Sequence, residues 1–303
     1  MAGLDDGWGG MGLDKNGMDG KPMEPGHIVI CADDFGMHPA VNQAVLELGR
    51  LGRLNATSCL VDGPAFADDA GALRQLRQQG GLLAAGLQIG LHLNFTETFA
   101  QGTGAALPAT PLPKLMRLAW LRRLDIGLLR REVARQFDRF EAIMQCAPDF
   151  VDGHQHVHQF PQIRDALLFE MQRRYPDRSA LWLRSTRCHD RPKTLHATAQ
   201  TTSIALKHRA KALVIERLGA RALRRKMAGR WRMSRALAGV YDFQGGQAVY
   251  AGLLAYWLAA MQTGDVLMCH PASHIMPHDP LGAQRLAEYR ALADAPIHLI
   301  PDS

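Results

Sequence analysis

The chain has 303 residues, 47% of them hydrophobic and 21% charged, enough to bury one substantial core and too ordinary in Gly and Pro for a fibrous or broadly unstructured protein. The net charge is +6, but Lys207–Arg235 alone holds eleven Lys or Arg against one Glu, so the rest is acidic on balance and no overall polyanion-binding surface is implied. The five cysteines (Cys31, Cys59, Cys146, Cys188, Cys269) form no CxxC pair, which argues against a disulfide framework or a Cys-rich zinc site and points to reduced thiols in a cytoplasmic protein.

Residues 1–26 are rich in Gly, Met and Asp and lack the apolar stretch of a signal peptide, so they read as a disordered N-terminal extension. Residues 27–303 read as one domain. No run in it approaches the roughly 18 uninterrupted apolar residues of a membrane-spanning helix. His27–Ala32 (HIVICA) predicts a buried strand, followed by a helix from Pro39 to about Arg53, with Pro39 suited to an early helical position. Ala56–Val61 predicts a second strand, Pro64–Gln79 a second helix, and Ala84–Asn94 a third strand ending in GLHLN.

A Pro-punctuated loop leads to a long helical stretch that starts near Lys114–Met116 and shows helical spacing over Leu128–Met144. Strand four is expected over Asp149–Val157, a helix over Pro161–Arg174 and strand five over Leu181–Ser185. The basic segment then reads as a helical insertion at about 203–236. A strand at Leu237–Phe243, a helix at Gln247–Met261, a strand at Asp265–Cys269, a helix at Leu281–Leu292 and a last strand at Ile297–Ile300 complete the pattern. Repeated strand–helix units favour a parallel sheet covered by helices. The expected fold is therefore α/β, a single-domain (β/α) barrel of TIM-barrel type, irregular or incomplete.

Polar clusters follow four of these strands: Asp33-Asp34-Phe35-Gly36, His92-Leu93-Asn94, Asp152-Gly153-His154-Gln155-His156-Val157-His158, and His270-Pro271. In parallel α/β folds the C-terminal edge of the strands is where sites assemble. Any one cluster alone would serve as a turn or helix cap; four on one edge point to chemistry. Adjacent aspartates after a buried strand repel unless a cation or proton intervenes. One carboxylate with two imidazoles is a zinc-type donor set that leaves a position open for water. In an extended DGHQHVH, Asp152, His154, His156 and His158 would share one face, with His156 and His158 in supporting roles.

Together ADDFG, GLHLN, DGHQHVH and the late CHP resemble the YdjC-type carbohydrate deacetylases, a family that includes chitooligosaccharide deacetylases and the hopanoid-associated deacetylase; the likeness runs over about residues 27–294. The resemblance implies that Asp34, His92 and His154 are metal ligands. It further implies Asp33 as the base that activates water, His270 as the acid for the departing amine, and Arg184 as a residue that orients Asp33 or contacts substrate. The implied activity is metal-dependent removal of the N-acetyl group from an amino sugar, an oligosaccharide or a lipid-linked glycan. Zn²⁺ suits the donor set best, with Mg²⁺ or another divalent ion able to occupy it. A homodimer also follows by analogy with the family.

The resemblance does not explain the basic segment Lys207–Arg235. It reads either as a solvated helical face or as an amphipathic helix against an anionic membrane surface, with Trp231 at the interface and the Arg-rich stretch Arg117–Arg139 joining it at the barrel mouth. That second reading places the protein in the cytoplasm, peripheral at the inner face of the membrane. Nucleic acid is not expected as a partner, because no nucleic-acid-binding motif accompanies the charge. Two further readings compete: a metal-dependent hydrolase of a phosphoester or cyclic amide, and a catalytically inactive glycan-binding protein of the same fold.

Overall fold

A computed structural model describes residues 28–79, 86–99, 104–105, 107–176, 181–189, 199–228 and 230–297, with backbone alone for 199–205. The expected disordered extension 1–26 lies outside the described residues. Eight strands, all parallel, form one sheet: β1 (Val29–Phe35), β2 (Ala56–Cys59), β3 (Gln88–Leu93), β4 (Phe150–Gly153), β5 (Trp182–Leu183), β6 (Arg232–Met233), β7 (Leu237–Ala238) and β8 (Val266–Cys269). Their spatial order is β6-β5-β4-β3-β2-β1-β8-β7. The two outermost strands are neighbours in sequence, joined by residues 234–236, and Leu237 of β7 also bridges Cys188 beyond β5. The sheet therefore curls toward closure as an irregular (β/α) barrel, with β1 an interior strand between β2 and β8.

This interior strand shows why the sequence pattern is continuous rather than alternating. Every residue of β1 is buried, because β2 and β8 flank it and both of its faces are covered. Helices α1 (Pro39–Arg50) and α2 (Phe66–Gln78) follow β1 and β2. His38 caps α1, its Nδ1 accepting from the Ala40 N–H at 3.1 Å, and Pro39 occupies the first turn, where no N–H is required. The turn between β1 and α1 needs Gly36: its φ is +97°, and a Cβ there would come within 2.7 Å of the Leu60 carbonyl oxygen.

The helical stretch after β3 is two elements, α3 (Leu112–Trp120) and α4 (Ile126–Met144). The break comes at Asp125, whose carboxylate accepts from the N–H groups of Gly127 (2.8 Å) and Leu128 (3.0 Å) and so starts α4 afresh. Leu129, Val133, Phe137, Phe140 and Met144 form the buried stripe of α4. Helix α5 (Ile163–Arg174) follows β4, α6 (Ala199–Arg217) and α7 (Ala220–Met227) lie between β5 and β6, and α8 (Gly246–Ala260) and α9 (Ala283–Asp294) flank β8.

Several expectations are corrected. Strand four does not extend to Val157. It ends at Gly153, and His154–Gln159 form a 3₁₀ turn with Gln155 and His156 in the left-handed region (φ 52° and 61°). The period-two placement of Asp152, His154, His156 and His158 on one face is lost with it. The strand expected at Leu237–Phe243 is limited to Leu237–Ala238. Ile297 is not in a strand, and residues 298–300 lie outside the described residues, as do 84–85 of the expected third strand.

The basic segment is not helical throughout: after α6 and α7 it enters the sheet as β6. Nor is it a simple appendage, because Leu223, Met227 and Trp231 are buried in the main core. Trp231, 5% exposed, is a core residue rather than an interfacial one. All five cysteines are free thiols, and Cys31 and Cys269 are buried as their apolar runs predict. Among the described residues, no helix is long and apolar enough to cross a membrane.

Candidate metal centre

The β1 edge sends two adjacent carboxylates in different directions. Asp34 has φ 70°, a left-handed conformation that Asp tolerates better than most residues. Asp33 meets Arg184, while Asp34 meets His92, His154 and Arg285. The separation answers the repulsion expected of neighbouring anions, since each carboxylate has its own cationic partner.

Asp34, His92 and His154 offer donor atoms that all lie within 4.8 Å of one another. His92 Nε2 is 3.5 Å and His154 Nδ1 is 3.1 Å from Asp34 Oδ1. Each histidine has a second carboxylate on its other nitrogen. His92 Nδ1 lies 2.7 Å from Asp152 Oδ1, which also accepts from the Ser58 hydroxyl at 2.5 Å. His154 Nε2 lies 3.4 Å from Glu97 Oε1. Carboxylates on the outer nitrogens of two histidines fix the tautomers and turn the inner nitrogens toward a shared point, an arrangement typical of metal-binding imidazoles. The donor set of one carboxylate and two imidazoles fits a single divalent ion.

The electrostatics agree. Burial alone would depress His92, but the charge of Asp152 and the hydrogen bonds from Asp152 and Asp34 outweigh it and push its pKa up to about 10. His154 is likewise raised: burial opposes, and the charge and hydrogen bond of Asp34 prevail. For Asp34, burial is opposed by the charges of Arg285 and His154, which hold the carboxyl well below its usual range.

A second acidic group, Asp33, His92 and Asp152, also brings its donor atoms within 4.8 Å. That space already holds a cation. The fully buried Arg184 donates from Nη1 to Asp33 Oδ2 (2.6 Å) and from Nη2 to Asp33 Oδ1 (2.7 Å), and Nη2 stands 2.6 Å from Asp152 Oδ2. The guanidinium thus neutralises two buried carboxylates and argues for one metal ion rather than two. His158 is occupied elsewhere, its Nε2 3.1 Å from the Arg184 carbonyl.

His270, after β8, opens on the same cleft. Its backbone N–H donates to Glu288 Oε2 at 2.5 Å, and its ring packs edge-on to Phe243 with centroids 5.2 Å apart. Its Nδ1 is buried without a hydrogen-bond partner among the described residues. Burial dominates its titration and pushes the pKa down to about 4. Glu288 is buried beneath it, pushed up to about 7 chiefly by desolvation and hydrogen-bonded by the Tyr241 hydroxyl. The cleft has a volume of about 710 Å³, with the polar cluster at its floor and Leu112, Met116, Ile215 and Leu218 on its walls.

Five of the six residues nominated from the sequence thus line one cleft, and the sixth, Arg184, is fully buried and reaches it through Asp33. The sequence reading missed Ser58, Glu97, Arg285 and Glu288 and gave Asp152 no separate role. Of these, Asp152 alone carried a signal, its place in DGHQHVH on the motif-bearing edge.

The YdjC-like protein family model matches residues 27–299. The chain belongs to the YdjC-like family. Curated relatives within its reach include the chitooligosaccharide deacetylase of Proteus mirabilis, 32% identical over 146 residues that make up 45% of this chain and 51% of that protein. The chitooligosaccharide deacetylase of Serratia marcescens is 31% identical over 140 residues, 45% of this chain and 52% of that protein. The matched region spans about half the length of these relatives. Among solved structures, a candidate cellobiose-phosphate cleavage protein of Enterococcus faecalis superposes with a TM-score of 0.56 at 19% identity, covering 88% of this chain and 90% of that one. This second likeness supports the fold of the family member described here.

Proposed function

We propose that the protein is a metal-dependent deacetylase that hydrolyses the N-acetyl group of an amino sugar to the free amine and acetate. The observation that carries this reading is the donor set of Asp34, His92 and His154 beside a carboxylate, Asp33, clamped by Arg184 at the floor of a cleft that also receives His270. Membership of the YdjC-like family and the names of the chitooligosaccharide deacetylases support the substrate class.

Asp34, His92 and His154 would hold the divalent ion, Zn²⁺ first among the candidates. When bound, the ion acidifies water and polarises the acyl oxygen. Asp33 accepts the proton of the attacking water, and Arg184, by engaging both of its oxygens, fixes the carboxylate's orientation. His270 delivers a proton to the sugar nitrogen, which leaves as the amine. Burial keeps His270 neutral in the resting site, so the negative charge that develops beside it as the carbonyl carbon becomes tetrahedral is what favours its protonation. The proposed partners are the N-acetylated sugar in the cleft and an anionic surface met by the basic segment Lys207–Arg235. No nucleic acid is called for.

The test is acetate release from N-acetylglucosamine oligomers and from lipid-linked N-acetyl sugars, before and after chelation and after re-addition of single divalent ions. Acetate release that chelation stops and an ion restores is expected. Absence of acetate from every acetylated sugar, with a phosphoester or cyclic amide hydrolysed instead, would overturn the reading.

A further inference from the structure

We propose that the α3–α4 turn and the outward face of α7 together form a docking surface for an anionic lipid bilayer beside the mouth of the cleft. Two basic segments that are remote in sequence meet there. Arg122 Nη2 lies 3.5 Å from Asp165 Oδ2, and Lys226 pairs with the other oxygen of the same carboxylate. Arg164, next to Asp165, has its pKa lowered, by burial first; Asp165 opposes this, and the nearby charges of Arg122 and Arg225 add to it. Helix α7 turns Leu223 and Met227 into the core, which leaves Arg221, Arg224, Arg225 and Lys226 on the exposed side.

Apolar side chains stand among these cations. Trp120 is 49%, Leu121 55% and Ile126 38% exposed, with Arg122 and Arg123 between them. The turn that carries them is held in place. Gln162 Nε2 donates to the Leu124 carbonyl at 2.8 Å, and the Leu124 N–H donates back to Gln162 Oε1 at 3.1 Å. Gln162 lies just beyond the 3₁₀ turn that carries His154, and α3 lines the cleft through Leu112 and Met116. The patch therefore sits at the catalytic edge of the sheet.

The occupant follows from the mixture. Exposed Trp and Leu flanked by Arg suit the boundary between headgroups and acyl chains, where the apolar side chains leave water and the cations meet phosphates. A polyanion without an apolar phase would engage the cations and leave Leu121 and Ile126 in water. A second copy docked through the same face would set Arg122, Arg164, Arg225 and Lys226 against their own equivalents, with Asp165 from each side as the compensating charge within the cluster.

The experiment is sedimentation of the full chain with vesicles of phosphatidylcholine alone and of phosphatidylcholine mixed with phosphatidylglycerol. Partition into the mixed vesicles is expected, weakened by salt. Trp120→Ser with Leu121→Ser should lower the partition coefficient by about tenfold or more. Arg122→Glu with Arg123→Glu, an independent change on the exposed turn, should lower it by at least about fivefold for each cation removed. Unchanged melting temperature in both variants shows that the fold is intact, and the readout depends neither on turnover nor on bound metal, so it stands whatever the substrate proves to be. Equal partition into both vesicle types, no partition at all, or variants that pellet like the parent would overturn the proposal. So would a serine variant whose sole change is loss of self-association.

Discussion

Replacing Arg184 by Met tests the electrostatic plan of the site most directly. Arg184 is fully buried and holds Asp33 through both oxygens and Asp152 through Oδ2, and these carboxylates are themselves buried. Methionine fills much of the same volume but leaves two buried anions without their counter-ion. Breaking such a network by removing one partner costs about 3–5 kcal/mol. At about 2 °C per kcal/mol for a chain of this size, Tm should fall by about 6–10 °C near neutral pH. The pH dependence gives a sharper signature. Burial alone would raise the Asp152 carboxyl, but the Arg184 charge, followed by the charge and hydrogen bond of His92, holds it below its usual range. A carboxyl lowered in the folded state contributes stability above its unfolded pKa, and that contribution is lost as pH falls. The unfolded chains titrate alike, so the gap between the parent and Arg184→Met should be full near neutral pH and narrow as pH falls, when the folded variant's uncompensated carboxylates take up protons that Asp152 of the parent resists. Calorimetric scans of both proteins near neutral pH and in acid decide the matter. A gap under about 1 kcal/mol near neutrality, or one equally large in acid, would refute the view that Arg184 acts as the counter-ion of this cluster.

Asp34→Asn and His154→Ala should each purify without bound metal, as read by elemental analysis of protein prepared without a metal-affinity column, and metal content equal to the parent's would remove either residue from the ligand set. His270→Ala should abolish acetate release while leaving metal content intact; near-normal turnover would take it out of the acid role. Glu97→Ala should weaken metal affinity by about 10- to 100-fold in a chelator competition, with Glu97→Gln in between because it keeps an acceptor for His154 Nε2. Because the pKa values of His92 and His154 are raised in the metal-free protein, an arriving ion must displace protons. Affinity should then climb with pH through the neutral range by up to about tenfold per unit for each proton released, and titrations in buffers of different ionisation heat that show no proton release would contradict this.

Local pattern in the chain is enough to place the polar clusters on one edge of the sheet. Continuous apolar runs such as HIVICA and DVLMC, each followed by a polar residue and a helical pattern, require parallel strands buried on both faces. Once those strands are parallel, Asp33, Asp34, His92, His154 and His270 must share an edge, because every strand ends in the same direction. That inference needs local pattern and chain direction alone, and it succeeded. Which groups face each other across that edge follows instead from the packing of distant segments. Asp34 is paired with Arg285, 251 positions away, and His270 with Glu288 of a following helix. Neither partner has a motif of its own, because each is placed by helix packing rather than by its neighbours in sequence. The DGHQHVH run shows the same limit within seven residues: two left-handed backbone positions replace the alternation of an extended strand, so that His154 joins Asp34 while His158 turns to a backbone carbonyl. Trp231 and Trp120 are equally apolar in sequence, yet one is buried in the core and the other is half exposed. Composition cannot separate them, since burial depends on which face of each element the curled sheet leaves open to solvent.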